Sequence, residues 1–351
     1  MSKVRQYLHL LILGICTLIL IVACDRSPNL STSDRPTNSE SCRIVQHDAG
    51  QTEICGQPQT VVALSPRALD VMLALDIQPA AYAEAAYTDR KILDLDRFDN
   101  PSQQIPHLGK YITTQPINLG HRNTPSLEAL VALKPDLIVA ETWQENEIIS
   151  KIAPMLLISN QYGKEAWSRR LQIVAQAFGK EEQAKQVIAE YERQLAQTRQ
   201  QLAPIVNAYP RVLPISPDEN LSLFDIESYD SDTALLLEEL GFELVLLEDV
   251  PRTDNSFVPP ISLEAFTQLE PDIILVTIWG TDNFYNPESA IAREWADTPL
   301  LQNMPAVKEG RIHFVNGQLW GGSRSGPIAW KIMLDRLPDL LLPFVKEKEE
   351  I

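Results

Sequence analysis

The chain has 351 residues, of which 44% are hydrophobic and 22% are charged, and its formal net charge at pH 7 is −17. This length exceeds what one ordinary hydrophobic core needs and suits two domains. The excess of acidic residues argues against a general nucleic-acid binder, although an acidic protein can still hold a basic pocket for an anionic ligand.

The N-terminus has the features of an export signal. Lys3 and Arg5 precede the apolar run LHLLILGICTLILIVA, and the segment IVAC ends at Cys24. This pattern predicts a secretory signal peptide over residues 1–23. IVAC also resembles a lipobox, the motif that is cleaved before a cysteine that becomes lipidated. An uncleaved transmembrane anchor is the alternative, but the small Ala23 and the polar tract after Cys24 favour the lipobox.

A polar tract and a cysteine pair follow the predicted cleavage point. Residues 24–41 are rich in Ser, Asn, Pro and Asp, which predicts a lipidated flexible tether. Cys42 and Cys55 then flank the alternating segments of RIVQHDAGQTEI, which predict a β-hairpin with the two cysteines on adjacent strands. In an oxidising compartment this pair favours a disulfide, because a metal site would need more ligands than His47 alone.

From residue 60 onward, short apolar strands alternate with helices. Before residue 160 the predicted strands are TVVAL, PAAYAEA, DLIVA and PMLLIS, and the predicted helices include SPRALDVMLALDI and ENEIISKIA. After Pro210 the predicted strands are RVLPIS, FELVLL, DIILVT and RIHFVN, and the helices include SDTALLLEELG and the closing GPIAWKIMLDRLPDLL. This alternation predicts mostly parallel sheets that are covered by helices on both faces.

One stretch of the sequence occurs twice. SLEALVALKPDLIVA at residues 126–140 returns as SLEAFTQLEPDIILV at residues 262–276, with eight identical positions of fifteen and an offset of 136 residues. Each copy predicts a helix that a proline stops, followed by an aspartate and a buried strand. The chain therefore contains two similar α/β units.

The segment between the two units, residues 164–203, contains no proline and one glycine. From about Lys180 it keeps apolar residues at helical spacing, which predicts a helix of about 24 residues and roughly 36 Å. The predicted fold class is α/β with two similar Rossmann-like lobes, each with a mostly parallel sheet, joined by one long α-helix. The predicted N-terminal lobe is 42–163, the linking helix region 164–205 and the C-terminal lobe 206–351. Ligands of such sheets bind at the carboxyl ends of the strands, which predicts a cleft between the lobes.

This order of motifs resembles the periplasmic binding proteins of iron–siderophore and cobalamin ABC importers. The resemblance covers residues 43–342 and rests on PQTVVALSPRALDVMLALDIQPAAYAE, LGHRNTPSLEALVALKPDLIVA, SLEAFTQLEPDIILV and WGGSRSGPIAWKIMLDRL. It implies a substrate-binding protein that performs no chemistry and captures a ferric siderophore, of hydroxamate or citrate–hydroxamate type, in the cleft. It also implies a monomer on the periplasmic or cell-surface face of the plasma membrane, held there by its lipid anchor alone, that serves an ABC permease dimer with its ATPase.

The resemblance also implies a function for the repeated motif. In similar proteins the glutamate of each xLExL motif faces the transporter and meets an arginine pocket. The resemblance assigns this permease-docking role to Glu128 and Glu264. The alternative is that each glutamate complements the positive end of its helix, and both interpretations can hold at once.

Arg122 carries the ligand-binding hypothesis. It lies in LGHRNTPSLE, and the ferric-hydroxamate binders have a ligand-contacting arginine in a similar GxRxxPxLE run. A guanidinium can donate hydrogen bonds to the oxygens around chelated Fe(III) without displacing them, whereas the alternative is a solvated loop residue. Further candidates follow predicted strands or lie in the loop around WGGSRSGP, with surface exposure or core packing as the alternative: Arg67, Trp143, Trp279, Tyr285, Trp320 and Arg324.

Other functions have weaker support in the sequence. The five histidines show no ligand spacing, so no intrinsic metal or cofactor is expected and the iron would arrive already coordinated. Cobalamin is the first alternative ligand and haem the second, since haem would usually require a tyrosine or histidine on its iron. The chain has no GxSxG, HExxH, P-loop or GxGxxG motif, which argues against an enzyme. A structural module without a ligand is the remaining alternative.

Overall fold

In a computed structural model, the described part of the chain consists of two β-sheets with the helices that cover them and a small β-hairpin. The structure describes residues 42–84, 94–145, 147–227, 229, 231–245, 247, 259–279, 290–321 and 326–344. The predicted signal peptide, the tether with Cys24 and the candidates Tyr285 and Arg324 lie outside these residues. Within them, no helix combines the length and the hydropathy that a membrane span requires.

The N-terminal hairpin is closed by a disulfide. Strand β1 (Cys42–His47) pairs antiparallel with β2 (Gly50–Cys55), and the bond joins Cys42 to Cys55. The predicted hairpin and the predicted disulfide are both confirmed. The Thr52 hydroxyl donates a hydrogen bond of 2.5 Å to the carbonyl of Met155 and so fastens the hairpin to the outer strand of the first sheet.

The first sheet has five parallel strands in the order β5-β4-β3-β6-β7. The strands are β3 (Val61–Ala63), β4 (Ala81–Glu84), β5 (Ile117–His121), β6 (Leu137–Glu141) and β7 (Met155–Ile158). The helices of this part are α1 (Pro66–Ala74), α2 (Pro101–Gln104), α3 (Leu127–Leu133) and α4 (Glu147–Ser150). Strand β5 was not predicted, because it lies in a segment rich in Pro, Gly and Asn and bends at Gly120, which has a φ of +77°.

The second sheet follows the same plan and carries an antiparallel edge. Strands β8, β10, β12 and β13 run parallel, whereas β9 pairs antiparallel with β8, and β11 pairs antiparallel with β9. Neither antiparallel strand was predicted, and the predicted strand FELVLL shortens to two residues. The strands are β8 (Arg211–Pro217), β9 (Leu223–Ile226), β10 (Glu243–Leu244), β11 (Ile261–Ser262), β12 (Ile273–Ile278) and β13 (Ile312–Asn316).

Helices cover both sheets and link them. The linking pair is α5 (Lys164–Phe178) and α6 (Glu181–Ala208), separated by Gly179 in the left-handed conformation. Helix α6 has 28 residues and is longer than predicted, because it continues for four residues past Pro204. It spans roughly 42 Å at 1.5 Å per residue. The remaining helices are α7 (Asp232–Glu239), α8 (Leu263–Phe266), α9 (Ala290–Asp297), α10 (Pro299–Gln302), α11 (Pro305–Lys308), α12 (Gly317–Trp320) and α13 (Pro327–Leu341).

The repeated stretch performs the same two structural tasks in each sheet. Ser126 and Ser262 cap α3 and α8 by accepting a hydrogen bond from the backbone N–H three residues later. The aspartates then brace the neighbouring strand. Asp136 Oδ2 accepts from the Thr60 N–H at 2.8 Å just before β3, and Asp272 Oδ2 accepts from the Arg211 N–H at 2.9 Å at the start of β8. Each copy therefore aligns the two central strands of its sheet.

One hydrophobic core spans both lobes through the helices that join them. Its aromatic centre is Tyr191 of α6, whose ring contacts Trp167 and Trp330 at centroid distances of 5.0 and 5.5 Å. A polar link accompanies it, because the buried Asp70 of α1 accepts hydrogen bonds of 2.9 and 2.8 Å from the first backbone N–H groups of α13. The predicted fold class, two similar α/β lobes joined by a long helix, is confirmed.

Candidate functional site

The carboxyl ends of three strands in the first sheet bring charged side chains together. Arg67 lies in the first turn of α1, just after β3, Arg122 follows β5, and β6 ends at Glu141. Because the strands are parallel, their carboxyl ends share one edge of the sheet. The candidates Arg67 and Arg122 therefore meet at Glu141, which is not among the site residues predicted from sequence.

The Glu141 carboxylate is 1% exposed and forms ion pairs with both arginines. Its Oε2 contacts Nη1 of Arg67 and accepts a hydrogen bond of 3.1 Å from the Trp143 indole, while its Oε1 lies 3.8 Å from Nη1 of Arg122. Burial raises the pKa of this carboxyl, but the two arginines and hydrogen bonds from Ser65 and Trp143 outweigh burial and lower the pKa below its ordinary value. Glu141 is therefore an anion at neutral pH that holds two cations at the strand ends.

Arg67 lies beneath this edge of the sheet. Its side chain is 4% exposed, and its guanidinium carbon lies 5.6 Å from the centre of the Tyr162 ring. Burial lowers the pKa of Arg67, but the charges of Glu141 and Asp232 outweigh burial and raise it. Asp232 begins α7 in the second half of the chain, so buried charges from both lobes act on one guanidinium. Because Arg67 is buried, it is better placed to support Glu141 and Arg122 than to contact a ligand directly.

Polar side chains of α5 and α7 hold the loop after β7, residues 159–163. Arg170, which is fully buried on α5, donates to the carbonyls of Ser159 and Gln161 at 3.3 and 2.6 Å. Burial, with the charge of Arg67 as a further cause, lowers the pKa of Arg170 to about 10. Asp232 Oδ1 accepts from the Gly163 N–H at 2.8 Å. The loop that ends the first sheet is therefore fixed before the chain enters the linking helices.

Arg122 and Trp143 form the accessible part of the cluster. Arg122 has 23% of its side chain exposed, and its guanidinium carbon lies 5.5 Å from the centre of the Trp143 ring. Trp143 is 43% exposed, which is high for an indole that also donates to a buried carboxylate. The stacked pair thus presents a cation and an apolar face to the same space, a combination that suits an anionic ligand with apolar parts.

A cavity of about 350 Å³ lies beside this pair. Trp143 and Arg122 line it together with the loop that leads into α3, and the other lining residues are Leu64, Asn123, Thr124, Pro125, Leu127, Gln144, Glu145 and Ile149. The cavity therefore runs from the guanidinium of Arg122 toward the exposed helix α3.

The candidates of the second lobe lie in different surroundings. Trp279 follows β12 as Trp143 follows β6, and each strand lies second from one edge of its sheet. Its indole packs on α12, where a side chain at Gly317 or Gly321 would collide with the ring. Trp320 is 2% exposed and belongs to the shared core. The glycine that follows it thus makes room for the Trp279 indole, and ligand contact by the buried Trp320 indole has no support in this arrangement.

The two predicted docking glutamates lie at equivalent positions. Glu128 and Glu264 are both exposed in the first turn of their helices, α3 and α8. A backbone hydrogen bond and the Ser262 hydroxyl lower the pKa of Glu264 below its ordinary value. Next to Glu128, Val131 exposes 57% of its surface and Leu127 exposes 39%. Helix α3 therefore presents a carboxylate among apolar side chains to solvent.

Sequence reasoning missed Glu141, Gln144 and Asp232. Glu141 left a usable signal, since a charged residue directly ends the buried run LIVA. Asp232 lies in an ordinary helix-capping sequence, and nothing nearby indicates that it faces an arginine of the other lobe. Gln144 has no sequence signal, because its role depends on backbone groups that are 80 and 22 residues away.

The sequence matches the profile of a known family and is similar to known proteins of Bacillus subtilis. The profile of a family described as periplasmic binding protein matches residues 61–319. The Fe(3+)-citrate-binding protein YfmC of Bacillus subtilis is 27% identical over 307 residues, covering 86% of this chain and 87% of the relative. The probable siderophore-binding lipoprotein YfiY of the same organism is 24% identical over 351 residues, covering 98% of this chain and all of the relative.

Solved structures share the fold. The petrobactin-binding protein YclQ of Bacillus subtilis superposes with a TM-score of 0.66 at 18% identity, covering 86% of this chain and 99% of that protein. At this identity the match shows a common architecture of two lobes and leaves the ligand open.

Proposed function

Because this chain belongs to the periplasmic binding protein family, we propose that it captures a ferric siderophore between its lobes and delivers it to an ABC permease. The family consists of substrate-binding proteins, which confirms the prediction that the chain is not an enzyme. The observation that carries the proposal is the accessible Arg122–Trp143 pair, held from below by Glu141 at the carboxyl ends of the strands.

The chemistry of this pair favours a chelate with anionic oxygen ligands. A guanidinium donates to oxygens in a fixed fork and cannot lose its charge at neutral pH. Ferric citrate and ferric hydroxamates both surround the iron with such oxygens. Among the similar proteins, YfmC is an Fe(3+)-citrate-binding protein and YfiY is a probable siderophore-binding lipoprotein, which supports this ligand class. We therefore favour a hydroxamate or citrate–hydroxamate chelate that contacts Arg122 and Trp143, with Trp279 facing it from the second lobe.

The anchor and the domain boundaries form part of the same proposal. Lipidation of Cys24 would attach the protein to the membrane and leave residues 24–41 as the tether. YfiY, which matches over its whole length, is described as a lipoprotein, and this supports the proposal. The lobes 42–163 and 206–351, with the linking region 164–205, would then present the cleft away from the lipid.

The proposed ligand is tested by titrating the full-length protein, purified in mild detergent, while recording tryptophan fluorescence. The panel contains ferric citrate, a ferric hydroxamate, a ferric catecholate, cobalamin and haemin. We expect saturable quenching by an oxygen-ligated ferric chelate, because Trp143 is exposed beside Arg122. Quenching by cobalamin or haemin alone would show that the ligand is not a ferric siderophore. If no compound of the panel quenches the fluorescence, the proposed function is contradicted.

A second test concerns the docking surface. Replacing Glu128 and Glu264 together by alanine should abolish uptake of the chelate while its affinity changes less than about twofold, because both carboxylates are exposed and neither residue lines the cavity beside Arg122 and Trp143. The exposed pair Glu182→Ala with Glu190→Ala on α6 serves as the matched control and should leave uptake intact. Loss of chelate binding by the purified double variant of Glu128 and Glu264 would show that these residues act in the pocket.

A further inference from the structure

Gln144 makes three hydrogen bonds that join the ends of three strands. Its side-chain amide nitrogen donates to the carbonyl of Leu64 at 2.8 Å and to the carbonyl of Arg122 at 2.9 Å. Its side-chain oxygen accepts from the N–H of Glu141 at 2.9 Å. Leu64 follows β3, Arg122 follows β5 and Glu141 ends β6, so one 7% exposed amide ties all three carboxyl ends together.

These bonds act on the residues that form the accessible site. The Arg122 backbone is held on both sides, since its N–H donates to the Glu84 carbonyl at 2.8 Å and its carbonyl accepts from Gln144. The guanidinium, in contrast, has looser partners: it lies 3.8 Å from Glu141 Oε1 and stacks 5.5 Å from the Trp143 ring centre. The position of the Arg122 side chain therefore depends on its backbone as well as on Glu141, and Gln144 and Glu84 together fix that backbone.

We infer that Gln144 is a positioning residue for Arg122, and this inference rests on the proposed function. The amide sets the distance between the Arg122 backbone and the Glu141 backbone. Glu141 carries the anion that pairs with Arg122, and Trp143, two residues later, carries the indole that stacks on it. A binding site needs its contact groups within about 0.5 Å of the productive geometry, and a side chain that bonds three strand ends can maintain that tolerance.

The test compares Gln144→Met with a matched glutamine variant. Methionine has nearly the length of glutamine but cannot replace its hydrogen bonds. Gln78 is the control, because its amide also bridges backbone groups, donating to the Tyr111 carbonyl at 3.1 Å and accepting from the Thr113 N–H at 2.8 Å, near the amino end of β4. Each variant is made in the full-length protein with the natural Arg122 and with Arg122→Ala, and fluorescence titration with ferric citrate and ferric desferrioxamine measures affinity.

We expect Gln144→Met to weaken chelate binding about tenfold when Arg122 is present, which is the effect of one misplaced charge-assisted hydrogen bond. In the Arg122→Ala background the same change should alter affinity less than about twofold, because two residues that act through one contact are not additive. Gln78→Met should also lower the melting temperature, because it removes two hydrogen bonds, but it should leave affinity unchanged in both backgrounds.

Three results would overturn the inference. Equal losses in both backgrounds would show that Gln144 acts independently of Arg122, an unchanged affinity would show that it does not act on binding, and a loss with Gln78→Met would indicate general destabilisation. If Gln144→Met does not fold, Gln144→Glu keeps the acceptor for Glu141 and loses both donors, and the same comparison applies. Failure of the natural protein to bind either chelate would instead contradict the proposed function, on which the inference depends.

Discussion

Arg122→Ala is expected to weaken binding of the ferric chelate by about 10- to 100-fold, the range of one or more charge-assisted hydrogen bonds. Arg122 lines the cavity. Arg67 belongs to the same cluster of described residues, but only 4% of its side chain is exposed. Arg122→Lys should give a smaller loss, because lysine keeps the charge but lacks the planar fork. Fluorescence titration of the three proteins measures the effect.

Two controls separate this effect from a general loss of charge. Arg193→Ala removes an exposed arginine whose partner Glu190 lies on the same helix, and it should leave affinity unchanged. Raising the salt concentration should weaken binding by the natural protein more than by Arg122→Ala, since screening acts on the removed attraction. An Arg122→Ala protein with natural affinity would refute the assignment of Arg122 to the ligand.

The regular parts of the fold were predictable because local sequence determines them. The two copies of the repeat carry a capping serine, a stopping proline and an apolar strand, and these features act within fifteen residues. The antiparallel strands β9 and β11 were not predictable, because a strand of two to four residues gains its pairing from distant neighbours. Helix α6 likewise continues for four residues past Pro204, because the packing of Leu202 and Ile205 in the shared core supports the helix on both sides of the proline.

Some residues of the candidate site were predictable from the sequence, and others were not. Trp143 could be named from sequence, because it follows the predicted strand DLIVA and strand ends gather at one edge of a parallel sheet. Arg122 was named from the family resemblance of LGHRNTPSLE, since the strand before it was not predicted. The depth of Arg67 could not be derived, since it depends on Glu141 from β6 and Asp232 from the other lobe. Trp320 shows the same limit: a tryptophan beside a glycine-rich loop is compatible with a cleft wall or with the core, and packing places it in the core.

Glu141→Gln should lower the free energy of unfolding by about 3–5 kcal/mol at pH 7, because it leaves the buried Arg67 without its main counter-charge. Urea denaturation measures this change. The matched control is Glu192→Gln on α6, whose pair with Lys164 has a similar hydrogen bond of 2.8 Å but is largely exposed. An exposed pair of this kind contributes about 0–1 kcal/mol, so the control should be nearly neutral.

The pH dependence distinguishes a lost ion pair from a packing defect. The pKa of Glu141 is lower in the folded protein than in the unfolded chain, so its contribution is complete above the unfolded value of about 4.3. That contribution is lost as the pH falls through the folded value, and the difference between natural protein and Glu141→Gln should shrink there. A difference that stays constant as the protein is acidified would mean that the charge of Glu141 does not stabilise the fold. Replacing the pair by Arg67→Met with Glu141→Leu should then restore most of the stability and still weaken chelate binding, because the anion that holds Arg122 would be gone.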